Sequence, residues 1–294
     1  MHLIRQALTP WNARKTRSII LFTLALVALA VEALRFIQDS PEYVTGALAG
    51  GMLAATATTL GAIPALLLMR PSDKAQNLMF GFGAGVMLAA SAFSLIIPGL
   101  DAAAAQGLGP WHANLAVGGS ILLGAAVLLW TERLMANKML RTDPHDDHLR
   151  RTWLVVIAIA LHNIPEGLAI GTAYAGGNPE HAASLALGIA IQDIPEGLVV
   201  ALALLMAGYS RTVALCLTAL SGMVEPVAAV LGAAVVGYSS GLLPWSMGLT
   251  AGAMIFVVCH DMIPAAHRKG HAHYATIGLL TGFVMMMSLD TALG

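Results

Sequence analysis

Charge is scarce in this chain: of 294 residues only 11% are Asp, Glu, Lys or Arg, against about 25% in ordinary soluble domains. No polar stretch is long enough to hold a separate soluble domain, which leaves one membrane domain as the simplest reading. The 15 basic residues form no long run and no patch interleaved with aromatics, and the net charge is −1. The electrostatic footprint of a nucleic-acid binder is therefore missing. Cysteine is equally sparse: Cys216 and Cys259 stand alone in apolar segments with no CxxC or CxxH pattern. That argues against a redox or thiolate centre and predicts two small buried apolar residues.

What the chain has instead is hydrophobic length, with 57% apolar residues and a mean hydropathy of +0.76. Runs long enough to cross roughly 30 Å of hydrocarbon, about 20 residues each, occur near 18–37, 43–69, 76–99, 112–132, 153–175, 183–208, 212–237, 245–264 and 274–293. The reading is an all-α polytopic membrane protein of nine spans. Lys and Arg concentrate in cytoplasmic segments of membrane proteins, which tests that count. With a cytoplasmic N-terminus, 14 of the 15 basic residues fall on the inner side; the exception, Arg35, ends the first run three residues after Glu32. The C-terminus is then outside. The first run, ending in Ala28-Leu29-Ala30, also fits a cleavable signal peptide; a retained helix is the preferred reading. Small residues crowd the second and third runs, as close helix packing in lipid requires. The loop carrying Asp143, His145, Asp146, Asp147 and His148, and the HRKGHAH stretch at 267–273, read by default as solvated loops. Glu32, Asp290 and Trp111, near span ends, read as interfacial residues.

Against that background, LHNIPEGLAI at 161–170 and IQDIPEGLVV at 191–200 place polar groups beside a proline in the middle of apolar runs. At 1.5 Å per residue, His162 to Glu166, Gln192 to Glu196, and Glu225 in the next run all reach the bilayer centre. Four carboxylates, Glu166, Asp193, Glu196 and Glu225, would cost on the order of 10 kcal/mol there if nothing compensated them. No Lys or Arg lies at that depth to pair with them. On a helix His162 and Glu166 share a face and Asn163 flanks it, and Gln192, Asp193 and Glu196 repeat the pattern. An imidazole, two amides and four carboxylates suit divalent metal, two ions balancing four charges. Pro165, Pro195 and Pro226 remove helical hydrogen bonds and free the carbonyls of Leu161, Ile191 and Gly222. Such backbone oxygen at mid-membrane is tolerated where protein or a water-filled path receives it. Glu225 taken alone also fits a buried hydrogen-bonded pair; the doubled motif does not.

HNIPEG, QDIPEG 30 residues later, and Glu-Pro in the following run together resemble the ZIP family of divalent metal transporters, in its bacterial form. The likeness extends from GFGAGVMLAASAFSLIIPGLDAA at 81–103 to the C-terminal MMMSLDTALG. It implies an eight-helix core over 43–294, in which helices one to three and six to eight form an inverted repeat around helices four and five. An extra N-terminal helix would lie within 1–42, and the main cytoplasmic loop near 133–152. It also implies a binuclear mid-membrane site of His162, Asn163, Glu166, Gln192, Asp193, Glu196 and Glu225, with Met87 as a thioether ligand. Ser94 and Asp101 would form the outer approach. His260, Asp261 and His271 would lie toward the cytoplasm, Asp261 standing where relatives carry Glu.

The implied function is uptake of Zn2+, with Cd2+, Fe2+ and Mn2+ as competitors, across a bacterial cytoplasmic membrane. Divalent ions and lipid are the implied partners, and a homodimer is compatible with them. Three rivals remain. An intramembrane metallohydrolase would need HExxH. A di-iron oxidase would need Glu-x-x-His pairs, and neither signature is present. A proton-coupled carrier of another solute would use the acids as a relay, but gives no reason for the His, Asn and Gln.

Overall fold

The computed structural model describes residues 39–67, 72–140, 147–267 and 270–293; within them the chain is helical apart from short turns, with no strand. Eight spans follow one another: α1 Glu42–Leu66, α2 Asp73–Ala105, α3 Pro110–Leu140, α4 Asp147–Ala175, α5 Pro179–Met206, α6 Arg211–Tyr238, α7 Ser240–His267 and α8 Ala272–Leu293. Seven are long and apolar enough to cross a membrane, and α4, 29 residues long, is packed among them. The first run, 18–37, lies outside the described residues. All-α polytopic architecture is thus what the structure has.

Local chemistry sets the helix limits. Ser72 and Ser210 cap α2 and α6 by accepting from the amides of Ala75 and Val213, supplying acceptors that a helix start otherwise lacks. The turn from α4 to α5 uses Gly177 at φ 88°, after which Asn178 Oδ1 accepts from the amide of His181 and Pro179 opens the helix. Proline at the first helical position loses no bond, because that N–H has no partner in any case. The loop expected near 133–152 is shorter than the sequence implied. Helix continues to Leu140 and resumes at Asp147, because no proline or glycine intervenes before Pro144. Residues 141–146 lie outside the described set.

The spans form two groups. In one, α1 packs on α5, α6 and α4, and α6 packs on α4; in the other, α2 packs on α8 and α3 on α7. The groups meet where α4 touches α7, and where α5 touches α2 and α8. Among the described residues Lys and Arg lie at one end: Lys74 starts α2, Arg133 lies in the last part of α3, and Arg211 starts α6. This end is called the basic end below.

The glycine of each repeated motif explains the close fit around it. A Cβ on Gly197 would sit 1.9 Å from the Thr58 carbonyl oxygen of α1, and one on Gly167 would sit 2.3 Å from the Glu225 carbonyl of α6. Lacking side chains, α4 and α5 can press on α6 and α1, which brings the neighbouring acids together.

The helices stay continuous through Pro165 and Pro195, and among the described residues single-residue breaks interrupt α1 at Ala62 and α6 at Met223. Two further irregularities matter. In α2 the turns Ala90–Ile96 are π-helical, as are Val258–Met262 in α7, and each precedes an Ile-Pro pair, Ile97-Pro98 and Ile263-Pro264. Proline offers no N–H to the preceding turn, and the wider π turn accommodates that loss.

Cys216 and Cys259 are exposed rather than buried. In a membrane a lipid-facing position is as apolar as a core position, so hydrophobic surroundings in the sequence do not tell the two apart.

Gly197→Ala is expected to force α1 and α5 apart and to destabilise the protein by about 1–3 kcal/mol. Thermal denaturation in detergent checks this, and an unchanged melting temperature would contradict the packing.

Candidate metal centre

Four helices build the centre. α4 contributes His162, Asn163 and Glu166; α5 contributes Gln192, Asp193 and Glu196; α6 contributes Glu225; and α1 contributes Thr58. Asn163, Glu166, Gln192, Asp193 and Glu225 are buried to within 1% of complete. The spacing predicted from the sequence is therefore realised, with both motifs turned inward.

The amides organise the acids. Asn163 Nδ2 donates to Glu225 Oε1 (2.9 Å) and to the Ser221 carbonyl (3.1 Å), an acceptor just before the break in α6. Thr58 Oγ1 donates to the same Glu225 oxygen at 3.1 Å. Gln192 Nε2 donates to Glu166 Oε1 and, at 3.3 Å, to Asp193 Oδ1. The two amides thus tie one oxygen each of Glu225, Glu166 and Asp193 and leave the other oxygen of each without a donor.

Those remaining atoms define what the centre can do. Asn163 Oδ1, Glu166 Oε2, Gln192 Oε1, Asp193 Oδ2 and Glu225 Oε2 are all buried, and no donor meets any of them. An unmatched buried acceptor costs about 1–3 kcal/mol, and more when charged. Five such acceptors lie on three adjacent helices, a donor set of the kind that could hold a cation. Glu166, Asp193 and Glu196 each place an oxygen within 4.8 Å of the other two, close enough to share one ion.

A second group lies on the basic side. His162 Nε2 meets Asp261 Oδ2 of α7 at 3.1 Å, and Glu132 of α3 completes a trio whose ligand atoms also fall within 4.8 Å. His162 thus reaches across to Asp261 of the other helix group. The i,i+4 offset fixes a shared helix face but not which neighbouring helix that face meets. His162, Glu196 and Asp261 line a cavity of about 300 Å³, along with Met79 near the start of α2, Ala203 near the end of α5 and Ala265 near the end of α7. All three of those positions are toward the basic end, so the cavity runs from the centre in that direction.

The other predicted residues fall as follows. Met87 is fully buried in the main apolar cluster. His260 is exposed, stacks on Phe256 with ring centroids 4.9 Å apart, and approaches Glu132 at 3.9 Å. His271 is exposed at φ 57° beside His273, away from both acidic groups. Ser94 is buried, whereas Asp101 is exposed near the end of α2. Trp111 is exposed at the start of α3. Asp290, read from the sequence as merely interfacial, accepts from Ser94 Oγ at 2.6 Å. Glu132 and His181 went unnoticed in the sequence. Glu132 sits beside Arg133 at a span end and His181 beside Glu180 in a loop-like stretch, where a polar residue carries no signal.

These features define a polytopic membrane protein with a buried, acid-rich centre. A model of the ZIP Zinc transporter family matches residues 141–290. Zinc transporter GufA of Myxococcus xanthus is 43% identical over 252 residues, 84% of this chain and 98% of that protein. Zinc transporter ZIPB of Bordetella bronchiseptica is 47% identical over 278 residues, 92% of this chain and 88% of that protein. Human zinc transporter ZIP11 is 46% identical over 158 residues, 52% and 46% of the two chains. The chain belongs to the ZIP zinc transporter family.

Replacing Glu166 by Gln together with Asp193 by Asn removes two charges with little change of shape. Without metal, the melting temperature is expected to hold or rise, since isolated buried charges are costly. A divalent cation at 100 times its Kd should stabilise the unaltered protein by about 2.7 kcal/mol and the double variant hardly at all. Equal cation stabilisation of both proteins would contradict this reading of the centre.

Proposed function

We propose that this protein carries Zn2+ across the bacterial cytoplasmic membrane into the cell. Its path runs through a mid-membrane site made by His162, Asn163, Glu166, Gln192, Asp193, Glu196 and Glu225, with Met87 as a thioether at the edge. The observation that carries this reading is the set of five buried acceptor oxygens with no donor. Membership in a family of transporters weighs against the hydrolase and di-iron readings.

Zinc is favoured by the mixture of carboxylate oxygen with one imidazole and by the relatives' names. Cd2+, Fe2+ and Mn2+ are the natural competitors. The basic end faces the cytoplasm under the positive-inside rule, which puts the C-terminus outside and directs the cavity of about 300 Å³ inward. This conformation is then the one from which metal leaves.

The geometry gives each residue a task. An ion arriving from outside loses water to Glu166, Asp193, Glu196 and Glu225, whose charges offset its own. Asn163 occupies one oxygen of Glu225, and Gln192 one each of Glu166 and Asp193, which aims the remaining oxygens at the ion. His162 lies between the two acidic groups, within reach of Glu196 above and Asp261 below. A shift of its ring passes the ion to Glu132 and Asp261, and His260 continues the route. A homodimer is compatible with this path, which lies within one chain.

Uptake of 65Zn into sealed proteoliposomes tests the proposal. His162→Ala and Glu166→Ala are each expected to lower uptake at least about tenfold, the loss of one charged ligand interaction. Undiminished zinc uptake in both variants would overturn the site, and metal-independent solute transport would restore the proton-coupled carrier. Because the ligands bind metal only when deprotonated, zinc affinity should fall as pH is lowered from about 7.5 to 5.5, measured by isothermal titration in detergent. An affinity that rises with acidity would contradict carboxylate and imidazole ligation.

A further inference from the structure

At the end opposite the basic one, a cross-bundle contact outside the metal centre joins α5 to α2 and α8. His181 Nε2 lies 3.2 Å from the Ser94 carbonyl, and its Nδ1 lies 3.5 Å from Asp290 Oδ1. Ser94 Oγ donates to that same Asp290 oxygen at 2.6 Å. The side chains of His181 and Asp290 keep only 14% and 12% of their exposure.

The chain prepares each partner. Pro98 offers no N–H to the Ser94 carbonyl four residues earlier, and the π-helical turns Ala90–Ile96 present that residue. The Gly177 turn and the Asn178 cap, which bonds the amide of His181 itself, fix the start of α5. Ser94 and Asp290 belong to one helix group and His181 to the other.

Beneath the contact the two groups meet without a gap. Leu185, Ile189, Met254 and Met286 are fully buried, and Met286 Sδ lies 2.2 Å from where a Cβ on Gly188 would be. The basic half differs, because its cross-bundle pair, His162 with Asp261, borders the open cavity. The arrangement is an inverted echo. A π turn before an Ile-Pro pair sets Ser94 in α2 at one end and Asp261 in α7 at the other, and each faces a histidine of a motif-bearing helix.

We propose that His181, gripping Ser94 and Asp290, is the clasp that holds the outer mouth shut while the inner cavity is open, and that admitting metal requires its release. The inference rests on the transport reading for its purpose, but not for its test. His181 is a positioning residue, since it touches no ligand of the centre.

The test uses the full chain with Cys216 and Cys259 replaced by Ser and a reporter placed by Leu185→Cys, one turn below the clasp. Cells are treated from outside with a membrane-impermeant maleimide, and 65Zn uptake is measured in parallel. Adding His181→Ala or Asp290→Asn is expected to raise the labelling rate about fivefold to tenfold, the shift given by losing one buried hydrogen bond. His181→Gln, which keeps a donor for the Ser94 carbonyl, should lie between. If His181→Ala does not fold, His181→Gln and Asp290→Asn carry the test. Labelling that stays at the unaltered rate in all variants overturns the clasp. So does reduced uptake with unchanged labelling, which would make His181 a ligand on the route instead. Failure of the unaltered chain to take up zinc would instead overturn the transport reading, leaving the labelling result to stand on its own.

Discussion

Four carboxylates without a basic partner in the middle of a membrane are the constraint on which this structure turns. Their burial would be prohibitive in a static protein, and the surrounding residues do not relieve it. Asn163, Gln192 and Thr58 each satisfy oxygens on one side while leaving the opposite oxygens bare. Neutral side chains thus set geometry and bring no charge to balance the acids.

The rest of the fold reads as a means of sustaining that imbalance. Gly167 and Gly197 let four helices close around the acids, at distances that any side chain would forbid. The break in α6 after Gly222 exposes a carbonyl for Asn163, which in turn holds Glu225. Two groups of helices, with histidine contacts between them at opposite ends, then provide a boundary along which access can alternate. Leu185, Met254 and Met286 are fully buried on one side of the acids, and a cavity opens on the other.

Much of this was legible before any coordinates. Hydrophobic length located all eight described spans, although α2, α3, α4 and α7 run several residues beyond the apolar stretches, because a bilayer leaves little choice of element. The i,i+3 and i,i+4 offsets put Asn163, Glu166, Gln192, Asp193 and Glu196 on inward faces, since helical periodicity alone decides that. What depends on neighbouring helices was not legible. The turn of His162 toward Asp261, the inclusion of Glu132, and the union of His181 with Ser94 and Asp290 are contacts between residues far apart in the chain. A polar residue near a span end looks the same whether it faces water or another helix. The exposure of Cys216 and Cys259 was missed because lipid and protein core are equally apolar.

X-ray diffraction at the zinc absorption edge, on crystals soaked with saturating Zn2+, addresses the central claim most directly. Anomalous peaks among Glu166, Asp193, Glu196 and Glu225 are the predicted result. Well-ordered side chains with no anomalous density between them would contradict the account.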